Sequence, residues 1–358
     1  MHEIAIITIN NNSPNYGGIL QNYATNKTIK SLGYNPITLI YEQCTATVGT
    51  KVKSILFKAG FKQYRTAYLN NTKIENFNKF RKKYISFRFI RKTNNLSKEY
   101  EYFVIGSDQV WNTNWINNEL RKQMSFLTFT DKKKKVCFSP SFGIDKIPDT
   151  WEKFVRNSLK EMNEISVREE AGAKIVEELT GKKAEVLIDP TLMLDRQEWG
   201  KLSKCPEIVN CKEPYILTYF LGDIPERAKN ESIEYANQLN AKIYNLMDYS
   251  QEELFVTGPE EFLYLIAHAK LILTDSFHAC VFSFLFEKPF LVYSREGNEK
   301  SMLSRLNTLL KKFDLERKYV DSNLKNELLE CDYKNGYKIL ENEQKKVIYF
   351  LRKSMNIT

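Results

Sequence analysis

The sequence predicts an α/β protein built as two Rossmann-like domains that face one another across a cleft. Three observations predict it. Short runs rich in isoleucine, valine, leucine and tyrosine alternate with stretches of helical spacing along most of the chain, the pattern of parallel sheets covered by helices. That alternation stops between Ser203 and Glu213, SKCPEIVNCKE, and then begins again, which marks a linker between two series. The block from Leu271 to Tyr293, LILTDSFHACVFSFLFEKPFLVY, reads as a complete β-α-β unit. A length of 358 residues exceeds what one hydrophobic core usually serves, and a hydrophobic content of 42% supplies material for two.

The first series opens with an alternating, isoleucine-rich strand from Glu3 to Ile9, followed by a loop of asparagine and glycine from Asn10 to Gly18. Ile19 to Leu32 carries helical spacing and ends at Gly33; Pro36 to Tyr41 is the next strand. Lys51 to Tyr84 is helical and basic, an excursion from the sheet. Further strands fall at Tyr102 to Ile105, Lys135 to Ser139, Glu164 to Val167 and Ala184 to Ile188, with helices from Thr150 to Met162 and Glu169 to Leu179. In the second series, strands at Tyr215 to Leu221 and Lys242 to Leu246 alternate with helices at Pro225 to Leu239 and Pro259 to His268, before the block at 271–293. Helices from Met302 to Phe313 and Glu341 to Met355 follow. The expected domains are 1–202 and 214–330, with a terminal helical segment at 335–358 that packs back on the first.

Lysine and arginine number 53 against 44 acidic residues, a net charge of +9 concentrated in part at Lys51 to Arg65 and Lys132 to Lys135. Such a surplus suits an anionic small substrate, an anionic membrane surface or nucleic acid. Nucleic acid is the weakest of these, because no zinc spacing or nucleic-acid-binding signature accompanies it, and the lysine run also reads as a solvated loop. Six cysteines without a CxxC pair read as reduced thiols of a cytoplasmic protein. The N-terminus lacks the pattern of a secretion signal, and no apolar stretch reaches spanning length, so work on a membrane-bound acceptor is expected to proceed from the inner surface.

Within the block at 271–293, Leu271 to Leu273 is short enough for a buried parallel strand, and Thr274, Asp275 and Ser276 are helix-cap residues. His278, one of three histidines, falls in the first turn of the next helix. Ligand crevices of open α/β sheets lie beyond the carboxyl ends of the strands, and a helix N-terminus there favours anions. The alternative is a histidine satisfied within a packed turn; His268, in an apolar helix, is read that way. Four more segments place polar residues directly after strands: Asn15-Tyr16-Gly17-Gly18 with Gln21 one turn later, Gly106-Ser107-Asp108-Gln109-Val110-Trp111-Asn112, Ser139-Pro140-Ser141-Phe142-Gly143, and Ser166-Val167-Arg168-Glu169-Glu170. All would converge on one sheet edge if the strands are parallel. Asp189-Pro190-Thr191 is a fifth, which a turn explains equally well.

The ordered series NYGGILQ, GSDQVWN, SFG, SVREE, DPT and SFHA resembles the polysaccharide pyruvyl transferase family from about Ile4 to Leu315. The resemblance implies a fold similar to the two-domain GT-B glycosyltransferases. It also implies transfer of a pyruvyl group from phosphoenolpyruvate onto two hydroxyls of a sugar, closing a cyclic ketal without a cofactor or metal. Many members carry an arginine two residues before the histidine; here Ser276 stands in that place.

That chemistry needs a proton donor, cations for a carboxylate and a phosphate, and acceptors that orient a diol. On this reading His278 is the proton donor and Arg168 the planar grip on an anion, unless it forms a surface ion pair with Glu169 and Glu170. Gly17 and Gly18 admit backbone N–H groups to an anion, or simply meet the needs of a turn. Asp108 and Gln109 orient hydroxyls, although Asp108 serves equally as a cap, and Trp111 offers a stacking face or core packing. Asn15, Tyr16, Gln21, Ser107, Ser141, Gly143, Ser276 and Lys288 complete the expected binding set. The acceptor would be a lipid-linked or nucleotide-linked precursor of a surface polysaccharide. A metal-independent glycosyltransferase using a nucleotide sugar, and a non-catalytic binding protein of the same fold, are the alternatives.

Overall fold

In the computed structural model, which describes residues 2–9, 14–41, 46–208, 213–295, 300–320 and 331–357, the chain forms two successive parallel α/β units. The first begins β1 (Glu3–Ile7), α1 (Tyr16–Ser31), β2 (Asn35–Ile40), α2 (Val48–Lys58) and α3 (Arg65–Tyr84). It continues β3 (Phe87–Phe89), α4 (Leu96–Glu99), β4 (Tyr102–Ile105), α5 (Glu119–Phe126), β5 (Lys135–Cys137) and α6 (Asp149–Lys160). β6 (Ser166–Val167), α7 (Glu170–Thr180), β7 (Glu185–Val186) and α8 (Arg196–Leu202) close it. Five strands run parallel in the order β3-β2-β1-β4-β5.

The second unit comprises β8 (Tyr215–Tyr219), α9 (Glu226–Gln238), β9 (Lys242–Asn245), α10 (Glu252–Phe255) and α11 (Pro259–His268). β10 (Leu271–Thr274), α12 (Phe277–Leu285), β11 (Phe290–Val292) and α13 (Lys300–Lys312) follow, and α14 (Lys334–Ser354) ends the chain. Its sheet has the order β11-β10-β8-β9, all parallel. β10, α12 and β11 form the expected β-α-β unit.

The central strands of both sheets, β1, β4, β8 and β10, are largely buried on both faces, which is why they read as apolar runs. Along β1, Ile4 and Ile6 enter one core cluster while Ala5 and Ile7 enter another. The first of these clusters does not stop at the unit boundary: it also holds Leu217 and Tyr219 of β8, Ile272 of β10 and most of α12. Tyr16 bolts the units together. Its ring stacks on Phe262 with centroids 4.3 Å apart, and its hydroxyl donates to the Thr257 carbonyl at 2.9 Å. The last helix returns to the first unit, where the Tyr102 hydroxyl donates to the Met355 carbonyl at 2.6 Å and Lys353 pairs with Glu164 at 3.0 Å.

Several elements differ from the sequence reading for physical reasons. α1 starts three residues before Ile19, because Asn15 caps it. The basic stretch from Lys51 to Tyr84 is two helices, broken at Gly60, whose φ of +102° suits a residue without Cβ. β3 and α5 were not expected. The strands expected at 164–167 and 184–188 shrink to two residues each and pair only with one another. Ser166 explains this: its hydroxyl donates to the Cys137 carbonyl and accepts from the Ser139 N–H, taking the place of a backbone ladder to β5. The expected loop residues 10–13, part of the linker at 209–212, Cys44 and Cys211 lie outside the described residues. Cys137 and Cys280 are buried thiols, pushed up by burial, Cys137 to about 12.

Candidate functional site

Two helix N-termini meet over the carboxyl ends of the two sheets. Asn15 caps α1 by accepting the Gly18 N–H at 3.0 Å, and Ser276 caps α12 by accepting the Ala279 N–H at 3.4 Å. The cap on α12 is held in turn by Thr274, whose Oγ1 accepts the Ser276 N–H and donates to the Tyr219 carbonyl. His278 therefore sits in the first turn of α12, on a rigid base. Gly17, in the first turn of α1, lies directly against its ring: a Cβ at Gly17 would stand 1.9 Å from His278 Nδ1.

Under the histidine is a buried charge cluster. Asp189 Oδ2 lies 3.6 Å from His278 Nε2, an ion-pair distance too long for a hydrogen bond, and the buried Nε2 has no hydrogen-bond partner. The same oxygen accepts from Arg168 Nη1 and from Ser107 Oγ, both at 2.7 Å, while Oδ1 accepts from the Thr191 N–H and hydroxyl. Burial alone would push the Asp189 carboxyl up, but His278, then Arg168 and Thr191, hold it well below the usual carboxylate range. Burial opposes the charge of Arg168 too, yet Asp189, Asp108 and Glu169 together hold its proton more tightly than usual. Arg168 also lies 4.5 Å from the Phe277 ring centroid, tying the cluster to α12.

Above this layer is a cavity of about 200 Å³. Its walls come from both units: Asn15, Gly17, Asp108, Gln109 and Trp115 from the first, and Tyr219, Leu221, Asp275, Ser276, Phe277, His278, Tyr293, Arg295, Arg305 and Leu306 from the second. Asp108 adopts a left-handed backbone, φ +68°, that aims its carboxylate between three partners. Asn15 Nδ2 donates to it at 3.4 Å, Arg168 Nη2 is 3.5 Å away and Arg305 Nη1 is 3.9 Å away. With its amide oxygen turned toward α13, Gln109 accepts from both Arg305 Nη1 and Nη2 at 3.2 Å. Burial, then the neighbouring Arg168 cation, pulls the Arg305 guanidinium down to about 10, so it is charged at neutral pH. Arg295 Nε donates to Asp275 Oδ2 at 2.7 Å, and Asp275 also accepts the Leu221 and Gly222 N–H groups.

Of the residues expected from sequence, Asn15, Gly17, Asp108, Gln109, Ser276 and His278 line this cavity together. Arg168 does not. It lies beneath the floor, 3% exposed, because two carboxylates hold its guanidinium there, and the expected direct grip on a ligand is corrected to the support of Asp108 and Asp189. Trp111 is also displaced from its expected role: it is fully buried against Phe126 and Phe142, with its indole N–H donating to the Ser125 carbonyl. Tyr16 points into the second unit. Gly18 gives its N–H to Asn15, and Gln21 gives its amide to Thr8 and to the Gly18 carbonyl. Ser107 is spent on Asp189.

Ser141 and Gly143 form a brace rather than a wall. Glu169 Oε1 accepts the Ser141 hydroxyl and the Phe142 and Gly143 N–H groups. Gly143, at φ +61°, makes room for the Gln109 side chain, whose amide end would stand 2.0 Å from a Cβ there. Lys288 precedes β11, whereas the cavity lies past the other end of β10 and β11, so its expected contact with the ligand is corrected. His268 stacks on Tyr264 at the surface, away from the cavity.

The sequence reading missed Asp189 as a member of the site, although it followed a strand as the other four motifs did. It missed Asp275 as well, which was read as a cap. Trp115, 38% exposed, lines the cavity wall in place of Trp111. Arg305 gave no signal: it sits inside an ordinary amphipathic helix. No cluster of three or more metal-ligating side chains occurs among the described residues.

The sequence model of a family described as Polysaccharide pyruvyl transferase matches residues 15–297. No curated protein sequence matches the chain. Among solved structures, a co-structure of S. aureus MnaA with UDP is 10% identical, with a TM-score of 0.45, covering 100% of this chain and 91% of that one. A complex of an S. aureus TarM variant with fondaparinux, alpha-GlcNAc-glycerol and UDP is likewise 10% identical at a TM-score of 0.45, covering 99% and 100%. The Methanocaldococcus jannaschii UDP-GlcNAc 2-epimerase, bound to UDP-GlcNAc and UDP, is 13% identical with a TM-score of 0.41, covering 95% and 98%.

Proposed function

The chain belongs to the polysaccharide pyruvyl transferase family, and we propose that it moves a pyruvyl group from phosphoenolpyruvate onto two hydroxyls of a sugar, closing a cyclic ketal in a lipid-linked or nucleotide-linked precursor of a surface polysaccharide. The observation that carries this reading is His278. It stands in the wall of the cavity over a buried carboxylate, Asp189, with Arg295 and Arg305 in the same wall. A small donor with a carboxylate and a phosphate needs two cations and one proton source, and these four side chains match that need. A volume of about 200 Å³ is below the roughly 300–1,000 Å³ of drug-sized ligand sites and suits a small donor.

In the proposed reaction Arg305 and Arg295 take the two anionic groups of the donor. Asp189 fixes the orientation of the imidazole from below, as carboxylates do for working histidines. His278 delivers a proton to the vinyl carbon, and the electron pair of the double bond forms the new C–H bond. The first sugar hydroxyl attacks the resulting cationic carbon and gives its proton to the now neutral imidazole, restoring the protonated ring. The second hydroxyl then takes the place of the phosphate, and its proton leaves with that group. One hydroxyl proton thus balances the new methyl hydrogen and the other ends on phosphate. Asp108 accepts hydrogen bonds from the diol, and Trp115 supplies an aromatic face for the sugar ring.

Incubation with phosphoenolpyruvate and a panel of sugar acceptors tests the reading by the phosphate released. Acceptor-dependent release of one phosphate per acceptor consumed is expected. Nucleotide release from a sugar nucleotide, with none of the phosphate freed from phosphoenolpyruvate, would favour the glycosyltransferase instead.

A further inference from the structure

We infer that α2 is a membrane-contact helix that lies on an anionic bilayer surface. Val48, Val52 and Ile55 recur at i, i+4 and i+7, so they share one face of α2, which Ala59 at its C-cap continues. That face is turned outward: Val48 is 79%, Val52 49% and Ile55 67% exposed, and Phe61 just beyond the helix is 49% exposed. The opposite side docks on α3, where Ser54 is buried and Phe57 stacks on Tyr68 with centroids 4.8 Å apart. Single exposed apolar side chains are ordinary, but an aligned row of them on a helix already packed by its other face is a contact surface without its partner.

Charge identifies the partner. Lys51, Lys53, Lys58 and Lys62 are exposed around the row, and between Cys44 and Glu75 the sequence contains no acidic residue. An apolar stripe edged by lysines is the composition of helices that lie in the plane of an anionic lipid surface, with apolar side chains among the acyl chains and lysines at the headgroups. A second copy of the chain fits worse, since a two-fold contact through this face would bring the lysines of one copy against those of the other. Nucleic acid would use the lysines and leave the row of valine and isoleucine in water. α2 also follows β2, so it departs from the edge of the sheet that carries the cavity, the side from which a lipid-linked acceptor would be presented. No helix among the described residues is long and apolar enough to cross a membrane, and in-plane contact needs none.

Co-sedimentation of the full chain with phosphatidylcholine vesicles, with and without phosphatidylglycerol, tests this directly. Binding to the anionic vesicles is expected at about 0.1 M salt and should weaken steeply by about 0.5 M, as the Debye length shrinks. Changing Val52 and Ile55 together to Asp should leave the protein in the supernatant with an unchanged melting temperature. Changing Lys51, Lys53 and Lys58 to Ser should weaken binding about a hundredfold, roughly fivefold for each lysine. Wild type that stays in the supernatant with anionic vesicles, or an aspartate variant that pellets as wild type does, would overturn the inference. So would a vesicle-free dimer that Ile55→Asp splits. Because the readout is lipid binding and not turnover, either result leaves the proposed reaction standing or falling on its own test.

Discussion

Gly17 and His278, from two different units, are packed so closely that no side chain fits between them: a Cβ on Gly17 would sit 1.9 Å from the imidazole Nδ1. The glycine therefore sets the position of the ring. Gly17→Ala is expected to push His278 off its place and lower kcat on the order of a hundredfold, the scale of an ångström's misplacement in a site. Gly18→Ala, whose new Cβ would meet the flexible Asn15 amide at 3.2 Å, should stay within about tenfold of wild type. Steady-state kinetics on both variants would check the contrast, and equal losses would contradict it.

Arg168 and Asp189 form a fully buried pair, and removing one partner strands the other. Arg168→Ala is expected to cost about 3–5 kcal/mol of stability, read by urea unfolding, because two carboxylates lose their counter-charge. A loss confined to donor KM with unchanged stability would instead restore a direct ligand contact. Asp189→Asn keeps the shape but misorients the imidazole, and its kcat should fall on the order of 10²- to 10⁴-fold. The folded carboxyl of Asp189 lies below its unfolded value, so its stabilisation is complete above the unfolded carboxylate pKa of about 4 and is lost as pH falls through the depressed folded value. Wild type minus Asp189→Asn stability should accordingly be flat from neutral pH down to about 5 and shrink only in stronger acid.

Arg305 reaches the cavity from α13 and meets Asp108 and Gln109 there. Arg305→Ala is expected to raise the donor Kd about 10- to 100-fold, the worth of a charge-assisted hydrogen bond, with Arg305→Lys recovering part of the loss. Isothermal titration with phosphoenolpyruvate would measure it; unchanged affinity would remove Arg305 from the donor site.

Lys73 is a buried cation over two ring faces, 4.3 Å from the Phe255 centroid and 5.2 Å from that of Tyr16. Burial lowers its pKa to about 8. The unfolded chain thus binds the proton more tightly than the folded one, and stability rises with pH between about 8 and 10.5. Burial keeps the Tyr16 phenol from ionising in that window. Lys73→Met should stabilise the protein at pH 7 by up to about 3 kcal/mol and flatten that rise, as urea unfolding across the range would show.

The alternation of strands and helices and the cluster of strand-end motifs were legible because each is a local pattern: buried parallel strands write continuous apolar runs, and parallel order brings their polar ends to one edge. His278, Asp108 and Asn15 were found that way. The errors came from depth. Arg168 and Trp111 sit in the same motifs as lining residues, but nothing in a linear sequence says which side chain of a loop points to a cavity and which to the layer below. Arg305 and Arg295 arrive from elements with no motif, and only the packing of α13 and of the segment after β11 brings them to the histidine. The short β6 and β7 misled because Ser166 replaces a ladder with its own hydroxyl, a substitution invisible to periodicity.

Phosphoenolpyruvate labelled at its vinyl carbons, turned over with an acceptor in deuterated water, separates pyruvyl transfer from sugar transfer. The label is expected to move into the acceptor as a ketal whose methyl group carries one deuterium. One phosphate should appear per label transferred, and none with His278→Ala. Label that stays in phosphoenolpyruvate while a sugar nucleotide loses its nucleotide would contradict it.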